Sequence, residues 1–358
     1  MGQTSQFDKE RAKSFTNKVL GDMAGAVAMN LCVIGDRLGL FKDLASNGAA
    51  TAADFADRNA VDERYAREWL EGLAAAGYLD FSTQSSEFSL PVEHARPLAE
   101  DTHPLFQGNL RNLLSYGMGP IEELTDVFKN GGGVHQSSFP PEFYATMQCS
   151  SGVRYENFLM QTWLPDMPDV VEMLERGVDV ADLGCGQGTA MTIMAKEFPN
   201  SRFWGYDAFA PQIEGAIDNS KRRGIGNNAS FEVLDGSGEL PRDFDIIFTF
   251  DVIHDMAQPR EALSNIKRHL NPGGIYVCQE ITCADEKHDN RGAVATIKYG
   301  MSMTYCMTTS LAHQGEGLGT LGMSEKVARE LCTEAGFKTF RKLECSNDFI
   351  SLFEVREN

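Results

Sequence analysis

With 358 residues and a formal net charge of −19, the chain is long enough for two domains. It is too acidic to expect a nucleic-acid backbone or an anionic membrane as partner, since both reward a basic face. Its hydrophobic share of 42% is that of an ordinary soluble protein, and no stretch reads as the ~20 apolar residues of a membrane span. The start, Met1-Gly-Gln-Thr-Ser-Gln6, is polar and runs into charge, unlike a secretory signal. Gln6 also stands where a myristoylation pattern wants Ser or Thr. The eight cysteines form no C-x-x-C pair and have no histidines at zinc spacing. Most, such as Cys32, Cys278 and Cys306, lie in apolar runs as small hydrophobes, so a reduced, cytoplasmic protein is expected.

The first predicted element runs from Ala24 to Leu40, apolar nearly all round at helical spacing. That pattern predicts burial against a partner, in the simplest case a second copy of the chain. Thr51, with Asp54 three residues on, opens a second helix, and Asp62 to Ala76 forms a third that stops at Gly77. Tyr78-Leu-Asp-Phe, a polar turn and Phe88-Ser-Leu complete a winged helix-turn-helix over residues 1–96. The third helix carries Asp62, Glu63, Arg64, Arg67, Glu68 and Glu71, an acidic balance unsuited to a DNA groove.

Residues 97–170 read as a mainly helical linker and lid, rich in aromatics and methionines. Tyr144, Met147 and Tyr155 are its candidate substrate contacts, because a reactive cofactor needs a cover that excludes water. From 171 onward, strands alternate with helices. Val180-Ala-Asp-Leu-Gly-Cys-Gly-Gln-Gly188 is strand, Gly-rich turn and helix start, with glycines at 184, 186 and 188. The spacing is G-x-G-x-G, which points away from the G-x-G-x-x-G of dinucleotide sites. Three further strands end in acids: Arg202 to Asp207, Ser230 to Asp235-Gly236, and Phe244 to Asp251. In a doubly wound sheet, ligands bind beyond the carboxyl ends of the strands, so these four carboxylates describe one site. A Met-rich segment around Met303 and Met307 is a candidate substrate wall. A last helix, 324–335, and two strands, 338–343 and 349–355, close the sheet as a reversed hairpin edge.

Taken in this order, Asp182, Gly184, Gly186, Gly188, Asp207, Asp235-Gly236 and Asn271-Pro-Gly-Gly resemble the class I S-adenosylmethionine (SAM) methyltransferases. The resemblance implies a Rossmann-like α/β fold with a seven-stranded sheet over 171–358 and SAM as cofactor. The loop 182–188 would hold the methionine side, Asp207 and Phe209 the ribose side, and Asp235 and Gly236 the adenine, with Asp251 completing the set. Leu-Gly-Leu-Phe, Thr-Ala-Ala-Asp-Phe-Ala and Leu-Ala-Ala-Ala-Gly-Tyr-Leu are similar to the dimerising N-terminal domain of small-molecule O-methyltransferases. That likeness implies a homodimer acting on a small molecule.

After the fourth strand stands Asp251-Val-Ile-His254-Asp255-Met256. His254 resembles the histidine that takes the proton from the acceptor hydroxyl in the plant and acetylserotonin enzymes, and an imidazole pKa near ~6.5 suits that task. Asp255 accompanies it as the second candidate catalytic group, although Met256 replaces the tryptophan of the plant enzymes. Asp251, His254 and Asp255 are ligand types for a divalent ion, but no metal is expected, since the second Asp-Asn pair of the catechol-type, magnesium-dependent enzymes has no counterpart after strand five. Two alternatives remain open at this point: methylation of a thioether, which needs no base, and a regulator that senses SAM.

Overall fold

The computed structural model describes residues 7–358, so Gln6 and the start of the chain lie outside the described residues. It divides into two compact units, one ending at Ser115 and one beginning at Tyr116.

The first unit is helical with one hairpin. Its opening helix, Lys9–Leu38, is longer than expected and is capped by Asp8 at one end and by Gly39, at φ 71°, at the other. Thr51 and Asp62 cap helices Ala52–Asn59 and Glu63–Ala75, as their sequence positions predict. Strands β1 (Asp80–Ser82) and β2 (Glu87–Ser89) form the wing. Phe41, Phe55, Trp69, Leu70 and Leu73 fill the core, and Phe55 stacks on Trp69 at 5.8 Å. Gly35 lets the long helix approach that core: a Cβ there would meet the Trp69 ring at 2.5 Å. In the third helix Arg64 pairs with Glu68 at 2.5 Å and Arg67 with Glu63, so both arginines are neutralised locally.

One expectation is corrected here. By length and composition the Lys9–Leu38 helix is apolar enough to cross a membrane, with a mean hydropathy of 1.4 over an 18-residue window. The charges at its two ends hide this window from a reading by consecutive apolar residues. Only 22% of the window is buried, and Phe15, Val19, Leu20, Met23, Val27 and Ile34 are exposed.

The second unit is built on a seven-stranded sheet. Its strands are β3 (Asp179–Leu183), β4 (Arg202–Asp207), β5 (Ala229–Val233), β6 (Phe244–Phe250), β7 (Leu270–Ile281), β8 (Thr339–Lys342) and β9 (Ile350–Arg356). Their order is β5-β4-β3-β6-β7-β9-β8, parallel through β7, with β9 antiparallel to both β7 and β8. Both faces are covered, so alternate residues serve opposite cores. Val180, Ile246 and Phe248 face one cluster with Met191 and Trp163, while Ala181, Leu183 and Ile247 face the other with Leu263 and Leu331. Asn271-Pro-Gly-Gly, expected before strand five, lies within β7, where the register to β6 shifts. From β3 the successive strands are added outward to one side as far as β5 and then, from β6, to the other, so the strand order reverses between the parallel neighbours β3 and β6, the switch point where ligands bind in such sheets.

Helices Ile121–Asn130 and Pro141–Arg154 and a π-helical stretch, Tyr155–Trp163, also belong to this unit. A second π-helical turn, Ser302–Cys306, interrupts the helical run from Gly292 to Ala312.

Candidate active site

The glycine loop after β3 is formed by geometry that only glycine meets easily. Gly184, Gly186 and Gly188 have φ of 73°, 54° and 69°. A Cβ on Gly184 would strike the Val252 side chain at 2.3 Å, so the loops after β3 and β6 touch. Gly186 has nothing within 4 Å of its missing Cβ, which leaves room for a ligand.

Asp207, at the end of β4, accepts the Gly186 N–H at 3.0 Å through one oxygen and the Phe209 N–H at 2.9 Å through the other. It thus ties the glycine loop to the next strand and retains lone pairs for a ligand. Burial pushes its carboxyl up, against the two N–H groups that lower it. Asp182 is buried, and its Oδ1 has no hydrogen-bond partner. Burial and the nearby Asp207 push it well above the ordinary carboxylate range, so a cationic ligand would relieve it. Asp235 is exposed and accepts from both Ser237 N and Ser237 Oγ, while the adjacent Gly236 is buried. Cys185 sits between these acids, which together with its burial keep it a protonated thiol.

The loop after β6 holds the candidate reactive groups. Asp251 has φ 62°, a rare conformation for a residue with a side chain, of the sort kept at functional sites. Its N–H donates to Gln279 O at 2.8 Å, and Arg154 donates to its Oδ2 at 3.2 Å. His254 is buried and lies with Nδ1 2.6 Å from Glu280 Oε2, at the end of β7. The other oxygen of Glu280 accepts the Ile253 N–H at 2.9 Å. Burial opposes the imidazolium, but Glu280 and Cys306 outweigh it and hold His254 well above its ordinary pKa. The expectation of an unperturbed imidazole is therefore corrected. Asp255 is half-buried, and desolvation pushes its carboxyl up to about 7.

Glu280 was not singled out in the sequence. The available signal was a carboxylate in the buried run Ile275-Tyr-Val-Cys-Gln-Glu280, which is costly without a partner.

An aromatic cluster lies in the same unit. Tyr305 packs against Phe139 at 5.2 Å and Phe143 at 4.8 Å, and Tyr144 against Phe209 at 5.0 Å. Asp207 acts electrostatically on both Tyr144 and Tyr305, so these rings border the acid at the end of β4. Met147 is half-buried one turn beyond Tyr144. Tyr155 packs in the sheet core, edge-on to Phe250 at 5.4 Å, within electrostatic reach of Asp182 and Asp251. Met307 is half-buried, whereas Met303 and Tyr299 are exposed. The π turn is the reason: it inserts a residue into the helical repeat, so Tyr305 and Cys306 are buried rather than Met303.

Residues 174–331 match the family described as "Methyltransferase domain", and residues 25–100 match the "Rv2258c-like winged HTH domain". The part of the chain that carries the glycine loop and the loop after β6 thus matches a methyltransferase domain. Among solved structures, mitomycin 7-O-methyltransferase superposes with a TM-score of 0.71 at 17% identity, over 98% of this chain and 100% of that one. Human N-acetylserotonin methyltransferase, solved with SAM, gives 0.66 at 18% identity over the whole of both chains. An O-methyltransferase from neocarzinostatin biosynthesis, solved with SAM and a hydroxynaphthoic acid, gives 0.67 at 18% identity, over 94% of this chain and 97% of that one. Among curated relatives, a ubiquinone biosynthesis O-methyltransferase of Cereibacter sphaeroides is 28% identical over 108 residues, 29% of this chain. The match covers 42% of that relative, and a match to polyketide synthase ThaQ of Burkholderia thailandensis, 29% identical over 37% of this chain, covers 7% of that protein.

Proposed function

We propose that this protein transfers a methyl group from SAM to a hydroxyl of a small, largely flat molecule. The observation that carries the reading is the His254–Glu280 pair at 2.6 Å, at the carboxyl ends of β6 and β7, where the loop after β6 touches the glycine loop. A hydroxyl must lose its proton as it attacks the methyl carbon, and an imidazole held by a carboxylate is suited to take it. The acids at the strand ends suit a ligand that carries an ammonium and a sulfonium. In this reading the buried, unpartnered Asp182 faces the methionine part. Asp207 accepts the ribose hydroxyls, and Asp235 and Gly236 flank the adenine. Phe139, Phe143, Tyr144 and Tyr305 supply apolar walls that position an aromatic acceptor and keep water out. The bound naphthoic acid of the neocarzinostatin relative supports an acceptor of this shape. No metal enters the step, which needs only alignment, a base and a dry pocket.

Methyl-labelled SAM offered with phenols and with thioethers tests the assignment. The reading expects label on a phenolic oxygen, and transfer confined to thioether sulfur would contradict it. Cofactor binding is tested separately by titration calorimetry. Asp207→Ala should weaken SAM by about 1.5–3 kcal/mol, the worth of hydrogen bonds to a charged group. Unchanged affinity would remove Asp207 from the site.

We also propose that the protein is a homodimer formed through the Lys9–Leu38 helix. Its exposed Phe15, Val19, Leu20, Met23, Val27 and Ile34 form an apolar surface too extensive for a surface helix left in water. Light scattering at micromolar concentration should give twice the chain mass, and a monomer mass would count against this interface.

A further inference from the structure

Asp251, His254, Asp255, Glu280 and Cys306 crowd around one imidazole. Their donor atoms fall into two sets, each within 4.8 Å: Asp251, His254 and Glu280, and His254, Asp255 and Cys306. The first set is largely committed, with only Asp251 Oδ1 left without a hydrogen-bond partner. Glu280 bonds His254 Nδ1 at 2.6 Å and the Ile253 N–H at 2.9 Å, and Asp251 pairs with Arg154 at 3.2 Å. The second set stands differently. With Nδ1 engaged by Glu280, Nε2 is the ring nitrogen that would exchange its hydrogen bond to Cys306 for a bond to an ion. Cys306 hydrogen-bonds His254 and is itself fixed by Thr320 Oγ1 at 3.1 Å. Asp255 is the third donor.

Three features make this set more than a coincidence of side chains. A nitrogen, an oxygen and a sulfur donor are the mixture that binds zinc-like ions, and three protein ligands leave a fourth position open. A carboxylate on the far nitrogen of the imidazole is the outer contact that orients ligating histidines. Asp251, Asp255 and Glu280 also bring three carboxyl groups to one imidazole, with Arg154 paired only to Asp251. The spacing rules for cysteine and histidine miss this set, because 254, 255 and 306 converge only through the fold.

We propose that His254, Asp255 and Cys306 bind one thiophilic divalent cation of the zinc class, with Glu280 orienting the imidazole, and that the bound ion removes His254 from service as a base. On binding, any protons on the Cys306 thiol, the Asp255 carboxyl and Nε2 pass to solvent. The loss of the base rests on the methyltransferase reading, whereas the binding does not.

Cobalt(II) is the probe, added to the full-length protein without SAM or acceptor. One equivalent per chain should produce a near-ultraviolet thiolate-to-cobalt absorption band. The band should vanish in Cys306→Ser, persist when the exposed Cys149 is replaced by serine, and need about 10–100-fold more cobalt in Glu280→Gln. No band in the wild type, or an unchanged band in Cys306→Ser, would overturn the site. If Cys306→Ser fails to fold by circular dichroism, Asp255→Asn decides: at least tenfold weaker binding is expected, and unchanged binding would overturn the assignment. Stoichiometric zinc should also stop methyl transfer. Cobalt binding without zinc inhibition would overturn the blocking role, while a protein that transfers no methyl group at all would contradict the proposed function and leave the cobalt result standing.

Discussion

His254→Ala is expected to slow methyl transfer to a hydroxyl by about 10²–10⁴-fold, the usual worth of a general base, while SAM affinity stays nearly intact. In the proposed reading the glycine loop and Asp207 hold the cofactor, and the bonds that fix Asp207 do not involve the imidazole. The removed ring is buried, so stability also falls, and the rate should be compared at a temperature where both proteins are folded by circular dichroism. Single-turnover kinetics with saturating SAM separates the two effects. A variant that binds SAM normally and transfers at the wild-type rate would exclude His254 as the base.

Glu280→Gln is expected to lower the rate by about 10²–10⁴-fold, because a carboxylate behind a catalytic imidazole fixes its tautomer and steadies the imidazolium that forms. Gln keeps the shape and an oxygen for the Ile253 N–H, so the fold should persist. The sign of the accompanying pH effect follows from the charge. Burial opposes protonation of His254, and Glu280 is foremost among the groups that overcome it. Without that charge the imidazole pKa falls, so the acid limb of the rate profile should move to lower pH. A slower enzyme with an unmoved acid limb would mean that Glu280 acts on packing alone. Glu280→Asp, which keeps the charge, should restore part of both properties.

The parts of this protein legible in the sequence are those set by short-range chemistry. Asp182 to Gly188 reads as strand, turn and helix because the left-handed turn needs glycine, and the structure has positive φ at all three glycines. Thr51, Asp62 and Ser324 announce their helices because a capping oxygen must sit next to the amides it serves. What stayed hidden depends on long-range convergence. Glu280 lies 26 residues from His254, and only the parallel pairing of β6 with β7 brings them together. Cys306 is buried as its apolar run suggests, but the burial of Tyr305 beside it, with Met303 exposed, goes with a π turn that no helical periodicity anticipates. The raised pKa of His254 follows from both, which is why an ordinary imidazole was expected from its type alone.

The central claim is proton removal by His254 during transfer from SAM to a hydroxyl, and the pH dependence of single-turnover methyl transfer by the wild-type protein tests it most directly. A base works only when unprotonated. Since Glu280 and Cys306 raise the imidazole pKa, the rate should climb with pH through a transition above the ~6.5 of a free histidine and then level off. A rate independent of pH across that range, on an acceptor the enzyme methylates efficiently, would contradict the account, because it would mean that no proton leaves through His254 as the methyl group arrives.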